Sequence, residues 1–151
     1  MYINRVLDLD KEQEVIALFE FVNAATNCFA DTLFRLHKYL ENGWLGYGCF
    51  DLESEKLVAY CFVKNPRTKP ETTTLVHPEH RNKGLSYILR SFAISDVIVH
   101  GKIIGKTIYS AAHKDNISSI VSLLHGKFRI ISISEDDYIH FERTEVKNES
   151  D

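Results

Sequence analysis

The chain has 151 residues, of which 44% are hydrophobic and 26% charged, and this composition is ordinary for a soluble globular protein. This length suits one domain with its own core. The formal net charge of −3 provides no overall positive field for nucleic acid. No apolar run approaches the length of a membrane span, and we expect no leader peptide. These features favour a protein with neither nucleic-acid nor membrane partners.

The cysteines indicate a reducing compartment. There are three, Cys28, Cys49 and Cys61, which is an odd number, and none is part of a C-x-x-C pair. This usage favours buried thiols over disulfides or a metal site. We therefore expect a cytoplasmic protein without a bound metal.

The N-terminal third predicts a strand followed by two helices. Residues 2–7 alternate as a first strand. Asp10 is a helix N-cap, with Gln13 in the capping-box position. Asp31 is a second N-cap, and Asn42-Gly43 ends the second helix.

The middle of the chain predicts three strands and then a long helix. Residues 44–50 and 56–64 are strand-like and are joined by a polar turn, and residues 65–70 form a loop. A threonine-rich strand follows at residues 71–76. The helix covers residues 84–99, and its apolar stripe packs against the sheet. The stripe consists of Leu85, Ile88, Leu89, Phe92 and Ala93.

The C-terminal part predicts a strand, a short helix and a hairpin. The strand covers residues 106–111, and Asp115 or Asn116 caps the helix. Gly126 ends this helix, and strands at residues 128–134 and 137–141 form the hairpin. The residues expected to be buried in the helix are Ile117, Ile120, Val121 and Leu124.

This order of elements predicts a single α/β domain around a mixed sheet. We place the domain at residues 1–143, with about four helices flanking a mostly antiparallel sheet. Residues 144–151 are expected to form an acidic, flexible tail.

The segment from Leu75 to Ser86 predicts a phosphate-binding loop. A strand ends at Pro78, a short basic loop turns on Gly84, and a helix begins. Successive backbone N–H groups and a helix N-terminus favour an anion there, and Arg81 and Lys83 add two positive charges. Between residues 64 and 83 there are five Lys/Arg against two acids.

The layout of this segment, V-x-P-x-x-R-x-x-G-x-S, resembles the acyl-CoA-binding signature of the GNAT superfamily of N-acetyltransferases. Arg81, Gly84 and Ser86 occupy the three defining positions, although the family has Gly or Ala where Ser86 stands. The segment from Asn116 to Phe128 is similar to the family's N-x-x-A-x-x-L-Y-x-x-x-G-F. Here the glycine, Gly126, is one place early, and Leu123 stands in the tyrosine position.

The resemblance implies an acyl-CoA-binding domain that uses acetyl-CoA as cosubstrate. It implies that the fourth and fifth strands splay apart and that fourth-strand backbone bonds the pantetheine arm. Asn116 is expected either to bond that arm or only to cap its helix. The implied strand residues are Thr74, Leu75 and Val76. The residues implied to hold the pyrophosphate are Arg81, Asn82, Lys83, Gly84, Leu85 and Ser86.

Two residues are candidates for the general base that deprotonates the acceptor amine. Glu71 begins the fourth strand, where some family members have a catalytic glutamate, and it would need partial burial or a water relay. His113 follows the fifth strand, and a neutral imidazole suits base work near pH 7. Leu123 cannot supply the proton that the tyrosine would give. The alternatives are solvent or one of Ser122, His125, Tyr87 and Tyr109.

The leading hypothesis is an N-acetyltransferase that acts on a primary amine by direct attack in a ternary complex. The alternative is a catalytically silent acyl-CoA-binding module, which Leu123 keeps open. A third hypothesis is a domain that binds another nucleotide, and the lack of G-x-x-x-x-G-K-S/T argues against an NTPase. The sequence does not select the acceptor, and a monomer or a homodimer is expected.

Overall fold

The structure, a computed structural model, describes residues 1–8, 11, 13–14, 17, 20–21 and 41–145. Its strands are β1 Tyr2–Leu7, β2 Leu45–Asp51, β3 Leu57–Lys64, β4 Glu71–Val76, β5 Thr107–His113, β6 Arg129–Ile133 and β7 Tyr138–Thr144. The α-helices described over their full length are α1 Leu85–Val99 and α2 Ile117–His125, and a 3-10 turn covers Pro78–His80. Residues 13–14, 17, 20–21 and 41 are helical as well. The predicted helices that start at Asp10 and Asp31 lie largely outside the described residues, as do Cys28 and residues 146–151 of the predicted tail.

The strands form one seven-stranded sheet in the order β1-β2-β3-β4-β5-β7-β6. All neighbouring strands are antiparallel apart from β4 and β5, which are parallel. The predicted single α/β domain with a mixed, mostly antiparallel sheet is therefore confirmed.

Helix α1 packs on one face of the sheet because apolar residues recur along it at helical spacing. Leu89, Ala93 and Val97 are fully buried against a core that includes Tyr47 and Cys61. The predicted stripe is right except at Ile88, which is exposed.

The predicted buried face of α2 is wrong in three of its four residues. Ile117, Val121 and Leu124 are exposed, and Ile120 is half-buried. The helix instead buries Leu123, which is 1% exposed and packs in the same core as Phe128. Apolar residues surround most of this short helix, and only one side docks on the core.

Cys49 and Cys61 are free thiols with no exposed surface, as predicted for structural cysteines. Burial raises the pKa of Cys49 to about 11 and that of Cys61 to about 12. Both thiols therefore stay protonated and unreactive near neutral pH.

Candidate cofactor cleft

The fourth and fifth strands meet at one end only. They share one ladder pair, Glu71 with Tyr109, near their N-terminal ends. Beside it the Tyr109 N–H donates to the Pro70 carbonyl at 2.9 Å, and the Ser110 hydroxyl donates to the Thr72 carbonyl at 3.0 Å. Beyond this point β4 and β5 diverge, which confirms the predicted splay and leaves the end of β4 open to a ligand.

A cleft of about 420 Å³ lies beside the open part of β4, and we call it the cofactor cleft. It is bounded by β4, by the loop before α1, and by α2. The predicted cofactor residues that line it are Thr74, Leu75, Val76, Arg81, Asn82, Gly84, Leu85, Ser86 and Asn116. Predicted residues up to 42 positions apart in the sequence therefore line one cavity.

The loop at the head of α1 has the backbone conformation that exposes N–H groups. Asn82 and Gly84 both have left-handed φ values, +63° and +74°. Alternation of this kind turns successive amides toward one side and makes a concave anion site. Gly84 is the N-cap of α1 and supplies no side chain to satisfy the first N–H groups of the helix. These donors and the positive end of the helix dipole are available to a phosphate.

The two basic residues of the loop are held differently. The Arg81 Nε donates to the Val76 carbonyl at 3.2 Å, which fixes the guanidinium at the end of β4. Lys83 does not line the cleft: its Nζ donates to the Tyr2 hydroxyl at 3.1 Å. The Tyr2 hydroxyl also lies 2.9 Å from the His80 Nδ1, so Lys83 belongs to a cluster on the β1 side of the loop.

Asn116 caps α2 and lines the cofactor cleft at the same time. Its Oδ1 accepts a hydrogen bond from the Ser119 N–H at 3.2 Å, so of the two predicted caps, Asp115 and Asn116, it is Asn116 that caps the helix. The cap role and the pantetheine role are therefore compatible at this residue.

A buried arginine that the sequence reasoning missed lies directly behind the cleft, in contact with three of its lining residues. Arg90 is 4% exposed, and it donates to the hydroxyls of Thr74 at 3.0 Å, Ser86 at 3.1 Å and Ser122 at 3.0 Å. Burial lowers the pKa of its guanidinium from the ordinary value. The available signal was a charged residue within the apolar pattern of α1, one helical turn after Ser86.

Glu71 lies at the apex where β4 and β5 meet, on the opposite face of the sheet from Thr72 and Thr74. It lines a separate cavity of about 300 Å³, which we call the Glu71 cavity. Other lining residues are Lys69, Tyr109, Ser132, Ser134 and His140. His140 is a titratable residue that the sequence reasoning did not single out, since nothing in β7 marks it.

His113 lies away from Glu71. It is four residues beyond Tyr109 on β5, which at about 3.3 Å per residue is roughly 13 Å along the strand. Its Nδ1 accepts from the Asp115 N–H at 3.2 Å, and its ring packs edge-on against Tyr138. His113 lines neither the cofactor cleft nor the Glu71 cavity. The structure does not bring the two candidate bases together.

Leu123, which stands in the family's tyrosine position, points into the core. Leu123 is buried, whereas Ser122, Tyr87 and His125 line the cofactor cleft. The rings of Tyr87 and His125 contact each other with centroids 4.8 Å apart. Tyr109, the remaining candidate proton donor, lies in the Glu71 cavity on the other face.

Several solved acetyltransferases have the same architecture. Ribosomal-protein-S5-alanine acetyltransferase from Vibrio fischeri superposes with a TM-score of 0.77 at 13% identity, over 95% of this chain and 92% of that one. The N-acetyltransferase PseH from Campylobacter jejuni, in complex with acetyl coenzyme A, gives 0.70 at 17% identity, over 97% and 100%. An acetyltransferase of the GNAT family from Streptococcus pneumoniae gives 0.71 at 12% identity, over 95% and 99%. No protein-family model and no curated protein matches the chain.

The fold is therefore that of the GNAT N-acetyltransferases, as the loop motif and the element order predicted. Its cleft is bounded by the open part of β4, the start of α1 and α2. Within the described part of the chain, no helix is both long and apolar enough to cross a bilayer. The same residues contain no group of three His, Cys, Asp or Glu side chains that could hold a metal ion.

Proposed function

We propose that this chain is an acetyl-CoA-dependent N-acetyltransferase that moves an acetyl group to a primary amine. The observation that carries the proposal is the cofactor cleft, where the diverging end of β4 and an amide-rich helix N-terminus meet. Pyrophosphate on the loop of residues 81–86 would place the pantetheine arm along β4, with the thioester toward the apex. Acetyltransferases of the same fold, one of them with acetyl coenzyme A, support this choice of cosubstrate.

The reaction we propose is direct attack in a ternary complex. The amine nitrogen bonds to the thioester carbonyl carbon, the carbonyl oxygen becomes an oxyanion, and the C–S bond then breaks to release the coenzyme thiolate. A backbone N–H of residues 74–76 is the donor proposed for the oxyanion. The nitrogen loses a proton to a base, and the thiolate gains one from solvent or from a cleft residue such as Tyr87.

Glu71 is the base that the geometry favours. It lies at the apex of the splay and lines the Glu71 cavity on the opposite face, so an acceptor there would approach the thioester from the side opposite the coenzyme. His113 is at the open end of β5, away from the apex. We expect Glu71→Gln to lower kcat by about 10²-fold or more and His113→Gln to change it little. A pH–rate profile of both variants would test this assignment, and a larger loss in His113→Gln would reverse it.

The first test is a thermal melt with acetyl-CoA and with ATP as the control nucleotide. Ligand at about 100 times its Kd stabilises a binder by roughly 2.7 kcal/mol. For a domain of this size the Tm should rise on the order of 5–10 °C. A screen of amines for thiol release from acetyl-CoA then identifies the acceptor. No shift at millimolar acetyl-CoA, or an equal shift with ATP, would contradict the proposal.

A pair of glycine variants tests the loop itself. Gly84 and Gly101 both have left-handed φ values, +74° and +60°, and at neither would an added Cβ meet another atom within 4 Å. Valine at either position therefore carries similar strain, about 1–3 kcal/mol. Gly84→Val should raise the Kd for acetyl-CoA about tenfold or more, whereas Gly101→Val should leave it unchanged. Equal affinities in the two variants would show that the loop does not hold the coenzyme.

The alternative function is a catalytically silent acyl-CoA-binding module. The observation that favours it is Leu123, which is buried in the core and presents no proton donor to the cleft. Orientation of the amine and the oxyanion contact still supply much of the rate of acyl transfer. Acetyl-CoA binding without thiol release for any amine would favour the silent module.

A further inference from the structure

Arg90 joins three elements beneath the floor of the cofactor cleft. Its Nη1 donates to Ser122 on α2, and its Nη2 donates to Thr74 on β4 and to Ser86 in the first turn of α1. All three hydroxyl-bearing residues line the cleft. The guanidinium therefore lies directly behind the surface that a coenzyme would touch.

This guanidinium has no counter-charge among the described residues. Each of its hydrogen bonds ends on a neutral hydroxyl, and its Nε is buried without any partner. A cation removed from water without an anion is costly, because three neutral acceptors do not replace full hydration or a carboxylate. An anion bound in the cleft would offset that cost.

The hydrogen bonds of Arg90 also set the polarity of the cleft surface. A guanidinium has only donors, so the oxygens of Thr74, Ser86 and Ser122 must accept from it. The proton of each hydroxyl is then available to an acceptor on the ligand. The surface offers hydroxyl donors backed by a full positive charge, which complements anionic oxygen.

We propose that Arg90 is a positioning residue for the pyrophosphate of the coenzyme and acts mainly through the Ser86 hydroxyl. This inference rests on the proposed function. Ser86 is the link because it lies both in the motif loop and within 3.1 Å of Arg90. Arg90 holds the Ser86 oxygen as an acceptor, so that the Ser86 proton points to a phosphate oxygen. The buried charge adds to the field of the helix N-terminus. Serine in place of the family's Gly or Ala is thereby explained as half of a Ser86–Arg90 pair.

The test compares two ligands, one with and one without the 3′-phospho-ADP part of the coenzyme. Acetyl-CoA carries the pyrophosphate and the phosphorylated adenosine, whereas S-acetylpantetheine has the same thioester arm without either, and competition by inorganic pyrophosphate separates the two contributions. Arg90→Met replaces the guanidinium with a shorter, unbranched side chain that carries no charge. We expect Arg90→Met to raise the Kd for acetyl-CoA about 10- to 100-fold and to leave that for S-acetylpantetheine within twofold. Arg90→Lys should recover part of the loss.

Further measurements separate this role from a purely structural one. Without ligand, the Tm of Arg90→Met should not fall, since the variant removes an unpaired buried charge. Inorganic pyrophosphate should compete with acetyl-CoA in the unmodified protein and less well in Arg90→Met. If Arg90→Met fails to fold, Ser86→Ala keeps the guanidinium and should weaken acetyl-CoA severalfold while sparing S-acetylpantetheine.

Two results would overturn the role of Arg90 alone. One is equal weakening of both ligands, which would place its effect on the pantetheine arm or on the fold. The other is unchanged affinity for both ligands in Arg90→Met. Failure of the unmodified protein to bind acetyl-CoA is a different result, and it would remove the proposed function itself.

Discussion

Lys127 adopts a backbone conformation that side chains rarely take. Its φ is +67°, and its N–H donates to the Leu124 carbonyl at 3.1 Å, which closes the end of α2. Gly126, which the sequence predicts as the helix stop, has an ordinary φ of −80°. The left-handed conformation at the end of α2 therefore falls one residue after the glycine, on a lysine.

Glycine at residue 127 should stabilise the protein. A left-handed conformation costs a residue with a Cβ about 1–2 kcal/mol, and glycine's greater freedom in the unfolded chain offsets part of that gain. We expect Lys127→Gly to raise the free energy of unfolding by up to about 1 kcal/mol. Lys127→Ala is the control, because alanine keeps the Cβ and should gain nothing. Urea denaturation measures both, and equal stability of the two variants would contradict the backbone explanation.

Asp96 is a second residue with an unusual environment, and its neighbours favour the ionised form of its carboxyl group. It accepts hydrogen bonds from the Tyr47 hydroxyl at 2.6 Å and the Lys102 Nζ at 2.7 Å, and the His100 Nδ1 lies 3.0 Å away. Partial burial by itself raises the pKa of Asp96, but the bonds from Lys102 and Tyr47 outweigh it and hold that pKa below its ordinary value. The carboxylate therefore ties α1 to β2 and to the segment after α1.

The contribution of Asp96 to stability should depend on pH. Because its pKa is lower in the folded state, the stabilisation is complete above the unfolded pKa of about 3.9 and is lost as pH falls through the folded value. Asp96→Asn should cost about 1–3 kcal/mol at pH 7, and its deficit should shrink at pH 2–3. The exposed Glu53→Gln is the control and should stay within about 0.5 kcal/mol. Unfolding curves of Asp96→Asn and the unmodified protein at both pH values test this prediction. A stability deficit of Asp96→Asn that persists at pH 2–3 would show that the carboxylate charge is not responsible.

At the scale of elements, we expect one side of α2 to supply nearly all of the stability that this helix adds to the fold. Leu123 is buried, whereas Ile117, six residues earlier and on another side of the helix, is 63% exposed. Leu123→Ala should cost about 2–5 kcal/mol, because it leaves a cavity between α2 and the sheet. Ile117→Ala, an equally apolar truncation on the same helix, should change stability by less than about 0.5 kcal/mol. If urea denaturation gave similar losses for both, Ile117 would be covered in solution.

The strands and the ends of α2 were predictable because each carries a local signal, whereas the buried face of α2 was not. Strand 71–76 is bounded by a loop and Pro78, and its ends in the structure agree with the sequence. In α2, apolar residues at 117, 120, 121, 123 and 124 allow more than one buried face, and the choice depends on where the sheet and Phe128 lie. The loop before α1 could be predicted from the spacing of its arginine, glycine and serine. The hydroxyl partners of Arg90 come from three separate elements, so no local pattern could reveal them.

Across the whole molecule, the sheet consists of two antiparallel parts joined at one point. Strands β1 to β4 form one part, and β5, β7 and β6 form the other. The two parts are joined by the ladder pair Glu71–Tyr109, the Tyr109–Pro70 backbone hydrogen bond and the Ser110–Thr72 hydrogen bond, and the cofactor cleft opens beside this junction. A fully paired β4–β5 ladder would close the cleft. The sheet therefore has few bonds between its two parts at the place where we propose that the coenzyme binds.

The Ser110 hydroxyl should accordingly contribute more to the free energy of unfolding than the hydroxyl of an exposed serine. It is buried, and its removal would leave the Thr72 carbonyl without this donor at the junction of the two parts. Ser110→Ala should lower the free energy of unfolding by about 1–3 kcal/mol. Ser95→Ala, at an exposed site on α1, should be neutral or gain up to about 0.5 kcal/mol. The cofactor cleft is lined by β4 on one side and by α2, which follows β5 in the chain, on the other. Saturating acetyl-CoA should therefore raise the Tm of Ser110→Ala at least as much as that of the unmodified protein. Urea and thermal unfolding of the two variants test both statements, and a Ser110→Ala variant as stable as Ser95→Ala would show that the two parts of the sheet are held together elsewhere.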